Sequence, residues 1–182
     1  FNAIVGIINE DYETGDFTNY AWVNDPLYPW VIDNANIYEG VHSSKSGAGL
    51  PDGEVSHLNI NIDVTAPGDI SFYKFVSSEQ DYDFLQFYID GNKQGEWSGI
   101  DNAWSFVSFP VTVGNHDFEW EYDKDGGLAD GQDCAWIDYI VFPPMYIAPS
   151  AVVESKIDFE LFPNPTMGSF NLTFNDVINH EV

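Results

Sequence analysis

Cys134-Ala-Trp-Ile-Asp-Tyr-Ile-Val-Phe-Pro-Pro144 is the stretch that decides the fold. Read at a side-chain period of two, it places Trp136, Asp138, Ile140 and Phe142 on one face and Ile137, Tyr139 and Val141 on the other. Both faces are mostly apolar, which predicts a central strand buried between two layers. Pro143 and Pro144 end it, because a proline has no N–H to give to a sheet ladder. Asp138 breaks the pattern. A carboxylate on an apolar face must be paired, hydrogen-bonded or bound to a metal.

Strand signals continue upstream. Leu58, Ile60, Ile62 and Val64 alternate with Asn59, Asn61 and Asp63, a half-buried strand closed by Ala66-Pro-Gly-Asp69. Ile70–Val76 is rich in aromatic and β-branched residues, and Phe84–Ile89 is apolar on both faces until Asp90-Gly91-Asn92 signals a hairpin. Trp104–Val113 follows, and Gly114-Asn115 turns the chain into His116–Tyr122. There Phe118, Trp120 and Tyr122 face one way and Asp117, Glu119 and Glu121 the other. Between Tyr20 and Gly53, aromatics sit among Asn, Asp, Pro and Gly, which predicts short strands joined by long ordered loops. No long window has a helical period. The expected fold is all-β, an antiparallel jelly-roll-type β-sandwich.

The 182 residues carry 30 acidic against 5 basic side chains, a formal charge of −25. Such a surface repels phosphate backbones and anionic lipid, so neither nucleic acid nor a membrane surface is an expected partner. It suits hard divalent cations instead. With 44% hydrophobic and 16% aromatic residues the chain has ample core material. Cys134 is the single cysteine, so no internal disulfide is available and a thiol inside a core strand should be inert. No apolar run approaches the ~20 residues of a membrane span. Phe1-Asn-Ala-Ile-Val5 lacks the charged start of a signal peptide, and the expectation is an internal piece of a longer chain.

The composition breaks after Pro144. The expected organisation is a sandwich over residues 1–146, a linker over 147–157, and the first strands of a second small β-sandwich over 158–182. About two strands are too few for a stable sheet, so this second unit is expected to be only partly present.

Four stretches together resemble a known module. Asp11-Tyr-Glu-Thr-Gly-Asp-Phe17, Tyr38-Glu-Gly-Val-His-Ser-Ser-Lys-Ser-Gly47, Asp83-Phe-Leu-Gln-Phe-Tyr-Ile-Asp-Gly91 and Ala135-Trp-Ile-Asp-Tyr-Ile-Val-Phe-Pro143 are similar to adhesin-like sandwich modules of secreted Bacteroidetes proteins. These are akin to the cleaved-adhesin domains of gingipains and, more distantly, to MAM-type domains. The resemblance spans residues 8–144. Leu161-Phe-Pro-Asn-Pro-Thr-Met-Gly-Ser-Phe170 resembles the opening of the C-terminal sorting domain of type 9 secretion cargo, with Pro163, Asn164, Pro165 and Gly168 as its core. That resemblance implies a secreted or cell-surface protein of a Gram-negative bacterium. Its partners would be the type 9 translocon and the outer-membrane shuttle barrel.

In adhesin-like sandwiches an N-terminal acidic pair and the Asp of the last strand meet around a structural Ca²⁺. By that resemblance Glu13 and Asp138 are the expected ligands, with Asp11 beside them. The alternative is that Asp138 accepts backbone amides and Asp11 caps a turn. Asp123-Lys-Asp-Gly-Gly-Leu-Ala-Asp-Gly-Gln-Asp133 lacks EF-hand spacing and reads as a solvated hairpin loop.

Six tryptophans are more than a core of this size needs, and Trp22, Trp30 and Trp97 stand in polar, loop-like surroundings that suit sugar binding. Glu119, Glu121 and Asp123 share one face, as the carboxylates of glycoside hydrolases on sandwich folds do, but in a different order; a solvated acidic stripe explains them as well. His42, His57, His116 and His180 form no metal or triad motif. The expected function is a non-catalytic accessory module binding glycan or glycoprotein and exported through its C-terminal sorting domain. A spacer or cargo without a ligand is the alternative, and a glycoside hydrolase a distant one.

Overall fold

A computed structural model describes residues 8–47 and 49–145. These belong to a single compact unit. The expected linker over 147–157, the sorting segment over 158–182 and its motif Pro163, Asn164, Pro165 and Gly168 lie outside the described residues.

Eleven strands make up the described residues: β1 (Asn9–Glu10), β2 (Val23–Asn24), β3 (Val31–Asp33), β4 (Ser43–Lys45), β5 (Val55–Val64), β6 (Gly68–Ser77), β7 (Phe84–Ile89), β8 (Asn92–Trp97), β9 (Ser105–Val111), β10 (Gly114–Asp123) and β11 (Cys134–Val141). They form two antiparallel sheets, and the all-β sandwich is as expected. One sheet runs β3-β4-β11-β6-β9, with β1 on the same flank of β11 as β4; the other runs β2-β5-β10-β7-β8. We refer to them as the β11 sheet and the β10 sheet. Asp90 and Gly91 both have positive φ (51° and 71°) at the β7–β8 hairpin, the primed geometry that matches strand twist. Strand β8, Asn-Lys-Gln-Gly-Glu-Trp, is too polar to show as a strand in sequence; its pairing with β7 makes it one.

The core lies between the sheets. Leu58, Ile60, Ile62 and Val64 of β5 meet Phe118, Trp120 and Tyr122 of β10 and Leu85, Phe87 and Ile89 of β7 on one side. Ile70, Phe72 and Val76 of β6 and Ala135, Ile137, Ile140 and Phe142 from β11 and its end supply the other. Phe72 is the aromatic hub, edge-on to Phe87 (5.0 Å between centroids) and Trp120 (5.4 Å).

The strict period-two reading of β11 is corrected here. Register with β6 slips between Asp138 and Val141, and Tyr139 takes φ 47°. This β-bulge inserts one unpaired residue and reverses the alternation beyond it. Ala135 and Ile137 point to the core before it, Ile140 and Phe142 after it. Trp136 and Asp138 therefore stand on the outer face, opposite to Ile140 rather than beside it.

Candidate functional site

Asp138 is fully buried although it points outward, because the loop between β3 and β4 lies over it. Its Oδ2 accepts hydrogen bonds from the backbone N–H of Tyr38 (3.0 Å) and Glu39 (3.1 Å), and its Oδ1 from that of Tyr139 (2.7 Å). Burial pushes its carboxyl up to about 6, and the amides oppose that only in part. Glu13 does the same one turn later: its Oε1 accepts from Val41 N–H (2.8 Å) and His42 N–H (2.9 Å). Between these two grips lies Gly40, at φ 69°, where a Cβ would stand 2.2 Å from Glu13 Oε1. Only glycine fits there.

The loop so held carries Tyr38 onto the outer face of the β11 sheet. Its ring stacks on Tyr73 of β6, 3.4 Å between centroids and 14° from parallel. Tyr73 meets its cross-strand neighbour Phe106 of β9 at 5.3 Å. Trp104 lies 6.2 Å from Tyr38 and 5.8 Å from Phe75, which reaches its cross-strand neighbour Trp136 at 5.6 Å. Six aromatic rings thus run unbroken across three strands and a loop. Trp136 is buried, its indole donating to Asp33 Oδ2 (2.7 Å) with Lys45 above its ring. Tyr38 is 40% exposed and Phe106 56%. A hydrogen bond with Tyr73 pushes the Tyr38 phenol up to about 12, so its hydroxyl stays neutral at physiological pH.

The tryptophans chosen from sequence lie elsewhere. Trp30 is 1% exposed and its indole reaches Ser56 O (3.4 Å), leaving no face free for a sugar. Trp22 is half-buried, donating to Glu10 Oε2 (3.0 Å) and packing edge-on against Trp120. Trp97 packs edge-on against Phe72 with Lys74 over its ring. Their polar neighbours in the chain are not their neighbours in space. The rings that do form a surface, Tyr73, Phe75 and Phe106, were hidden in strands whose two faces both read as apolar.

Asp11 accepts from Glu13 N–H (3.2 Å) and Asn9 Nδ2 (3.2 Å), a short turn. Glu13 and Asp138 thus hold one loop, and nearby the buried Tyr12 and Ser44 hydroxyls lie against each other. Tyr12 feels the charges of Glu10 and Asp138, which add to burial in raising its phenol well above the ordinary range. Carboxylate and hydroxyl oxygens in an acidic, buried surround are donors of the kind a hard cation takes. Glu10, also fully buried and pushed up chiefly by burial, was missed in sequence; two-residue β1 gives too short a pattern to show that it points inward.

The other sheet has a different outer face. Glu119, Glu121 and Asp123 do share it, with Trp120 and Tyr122 in the core. His57 joins the first two, its Nδ1 2.9 Å from Glu119 and 3.4 Å from Glu121. The 124–133 loop is less solvated than expected at its ends: Lys124 is buried and bonded to Asp133, Asp52 (2.8 Å) and Leu50 O (3.3 Å). Cys134 is buried and its thiol pushed up to about 12 by burial, which makes it inert as expected.

No protein-family model matches the chain, and no curated protein does. Solved structures do. The K2 cleaved adhesin domain of Lys-gingipain matches at a TM-score of 0.54 and 13% identity, covering 74% of this chain and 98% of that one. The CBM22-1 xylan-binding domain of Xyn10C from Paenibacillus barcinonensis matches at 0.50 and 12%, covering 74% and 90%. Against the secreted serine protease VesC from Vibrio cholerae the match covers 68% of this chain but only 26% of that one, at 0.49 and 19%. The likenesses to the cleaved adhesin domain and the xylan-binding domain show the β-sandwich fold. No helix among the described residues is long and apolar enough to cross a membrane.

Proposed function

We propose that residues 8–145 are a non-catalytic, extracellular binding module whose ligand is a glycan or glycoprotein. One observation carries this: the aromatic surface of Tyr38, Tyr73, Phe75, Trp104 and Phe106 on the outer face of the β11 sheet. An outer sheet face of a sandwich is ordinarily polar, and a run of half-buried rings with Tyr38 and Phe106 exposed at its surface marks a place used for contact. Pyranose rings present C–H faces that stack on aromatics and hydroxyls that bond to phenols and amides. The net charge of −25 repels anionic chains, so the preferred class is a neutral glycan. The fold it shares with an adhesin domain and a xylan-binding module supports the reading.

The test is a glycan array with the full chain and with Tyr73→Ala and Trp104→Ala. Binding to a defined neutral sugar class, lost in both variants, is the expected result. Binding that survives both variants places the site elsewhere. A blank array from folded protein makes the module a spacer or cargo domain.

Two further readings rest on the sequence resemblance. The 161–170 segment would address the protein to the type 9 translocon and its outer-membrane shuttle barrel, giving a secreted or surface location in a Gram-negative bacterium. Expressing the full parent protein in a host with a type 9 system tests this, with export expected and its loss on Pro163→Ala with Gly168→Ala. A structural Ca²⁺ near the Tyr38–His42 loop would use Glu13 and Asp138, with Asp11 beside them. Chelator should then lower the melting temperature, and an unchanged melt would leave the amides as the only partners of those carboxylates.

A further inference from the structure

Across the sandwich from the aromatic surface, β5 and β10 pair so that His57 stands directly opposite Glu121, with Glu119 two residues along on the same face. One ligand atom from each of the three lies within 4.8 Å of the others, and among the described residues no other three His, Cys, Asp or Glu converge so. No Lys or Arg of the described residues pairs with either glutamate; the imidazole is their sole ion-pair partner. Lys93 feels the Glu121 charge but its ammonium is bonded to Glu96 (2.8 Å) instead. The Tyr88 hydroxyl lies between Glu121 and Gln86 Oε1 with one proton to give to either, and Gln86 Nε2 donates to Asp123 (3.4 Å). Such outer contacts fix the aim of a ligating carboxylate. All three side chains stand on the two central strands of a five-stranded sheet, so their spacing is set by ladder hydrogen bonds rather than by a loop.

We infer that His57 Nδ1, Glu119 and Glu121 form a binding site for one divalent transition-metal ion of the zinc class. The donor set is one imidazole nitrogen and two carboxylate oxygens, which suits Zn²⁺ and its borderline neighbours. Ca²⁺ takes oxygen alone. Three protein ligands on an open face leave the fourth position to water or to an oxygen of a bound molecule. The site is independent of the aromatic surface and of any Ca²⁺ under the Tyr38–His42 loop.

The experiment uses the full, untagged chain, freed of metal by a chelator that is then dialysed away. Zn²⁺ is titrated calorimetrically, and Co²⁺ is added as an optical probe of geometry. One ion per chain is expected at this site, with a tetrahedral-type Co²⁺ spectrum. His57→Ala, Glu119→Gln and Glu121→Gln should each weaken uptake by at least ~10-fold. His116→Ala, whose imidazole pairs with Asp90 (2.7 Å), should leave it unchanged. A large excess of Ca²⁺ should not displace the ion. Absence of Zn²⁺ binding in the folded wild-type chain, unaltered binding in both His57→Ala and Glu119→Gln, or displacement by Ca²⁺ would each overturn the assignment.

Discussion

On the outer face of the β11 sheet stand Tyr73, Phe75, Phe106 and Trp136, while the outer face of the β10 sheet carries His57, Asn59, Asn61, Asp117, Glu119 and Glu121. The inward halves of both sheets are built alike, from Ile, Leu, Val, Phe and Trp. Alternation therefore fixes the core and leaves the outward residues free to differ. On the β11 side, part of the apolar surface is roofed by the loop that Glu13 and Asp138 hold by its amides, and the rest is left open. On the β10 side no apolar surface needs a roof, and the charges are left to find partners among themselves. The lesson is that Asp138, buried on the aromatic face, serves as the anchor of its cover, whereas Glu119 and Glu121 on the acidic face stay half-open.

The largest break in this contrast should come from Asp138→Ala. It strips three backbone N–H groups of their acceptor in a dry setting, and a destabilisation of about 3 kcal/mol is expected from denaturant unfolding. Glu119→Ala, on the other face, should stay within about 0.5 kcal/mol of wild type. Next in size is the ligand side of the contrast. Removing one ring of the aromatic surface, as in Trp104→Ala, should weaken glycan affinity about 10-fold, or ~1.4 kcal/mol, while Asn61→Ala on the acidic face changes nothing. Calorimetry on an array-identified sugar decides it.

A smaller effect follows from titration. Asp138, Glu10 and Glu121 hold their protons in the folded state to higher pH than in the unfolded chain, chiefly through burial. The folded state thus binds more protons in that window, and stability falls as pH rises through it. For Asp138 the window runs from the ordinary 3.8 to about 6. The melting temperature should climb as pH is lowered from 7 to about 5, and the climb should be shallower in Asp138→Asn. The least effect expected is a gain: Glu121→Gln, which removes the repulsion from Glu119, should stabilise the metal-free chain by about 0.5 kcal/mol or less.

Much of this was legible in the chain. The alternation of Leu58–Val64 and of Phe118–Tyr122 named the inward residues, and the oddity of Asp138 marked the place where a loop is anchored. Backbone amides, one of the two partners considered for it, do bond it. Which amides could not be read, because Tyr38 and Glu39 are about 100 residues away and nothing local records the contact. The aromatic surface escaped for a related reason. In Ile70–Val76 both faces are apolar, so periodicity cannot say which is covered and which meets water, and Tyr38 joins it only through the fold. Trp22, Trp30 and Trp97 misled because chain neighbours were used to judge exposure. His57 was visible only as a scattered histidine until β5 paired with β10.

The single extra residue at Tyr139 acts as a change of reading frame within one strand. Upstream of it, odd positions serve the core; downstream, even ones do. Deleting Tyr139 would restore plain alternation and leave Ile140 and Phe142 inward, whereas adding one more residue beside it would turn both to water and Val141 inward. Lengthening a surface loop by one residue carries no such penalty. The segment from Trp136 to Ile140 therefore tolerates exchange of side chains far better than an inserted residue.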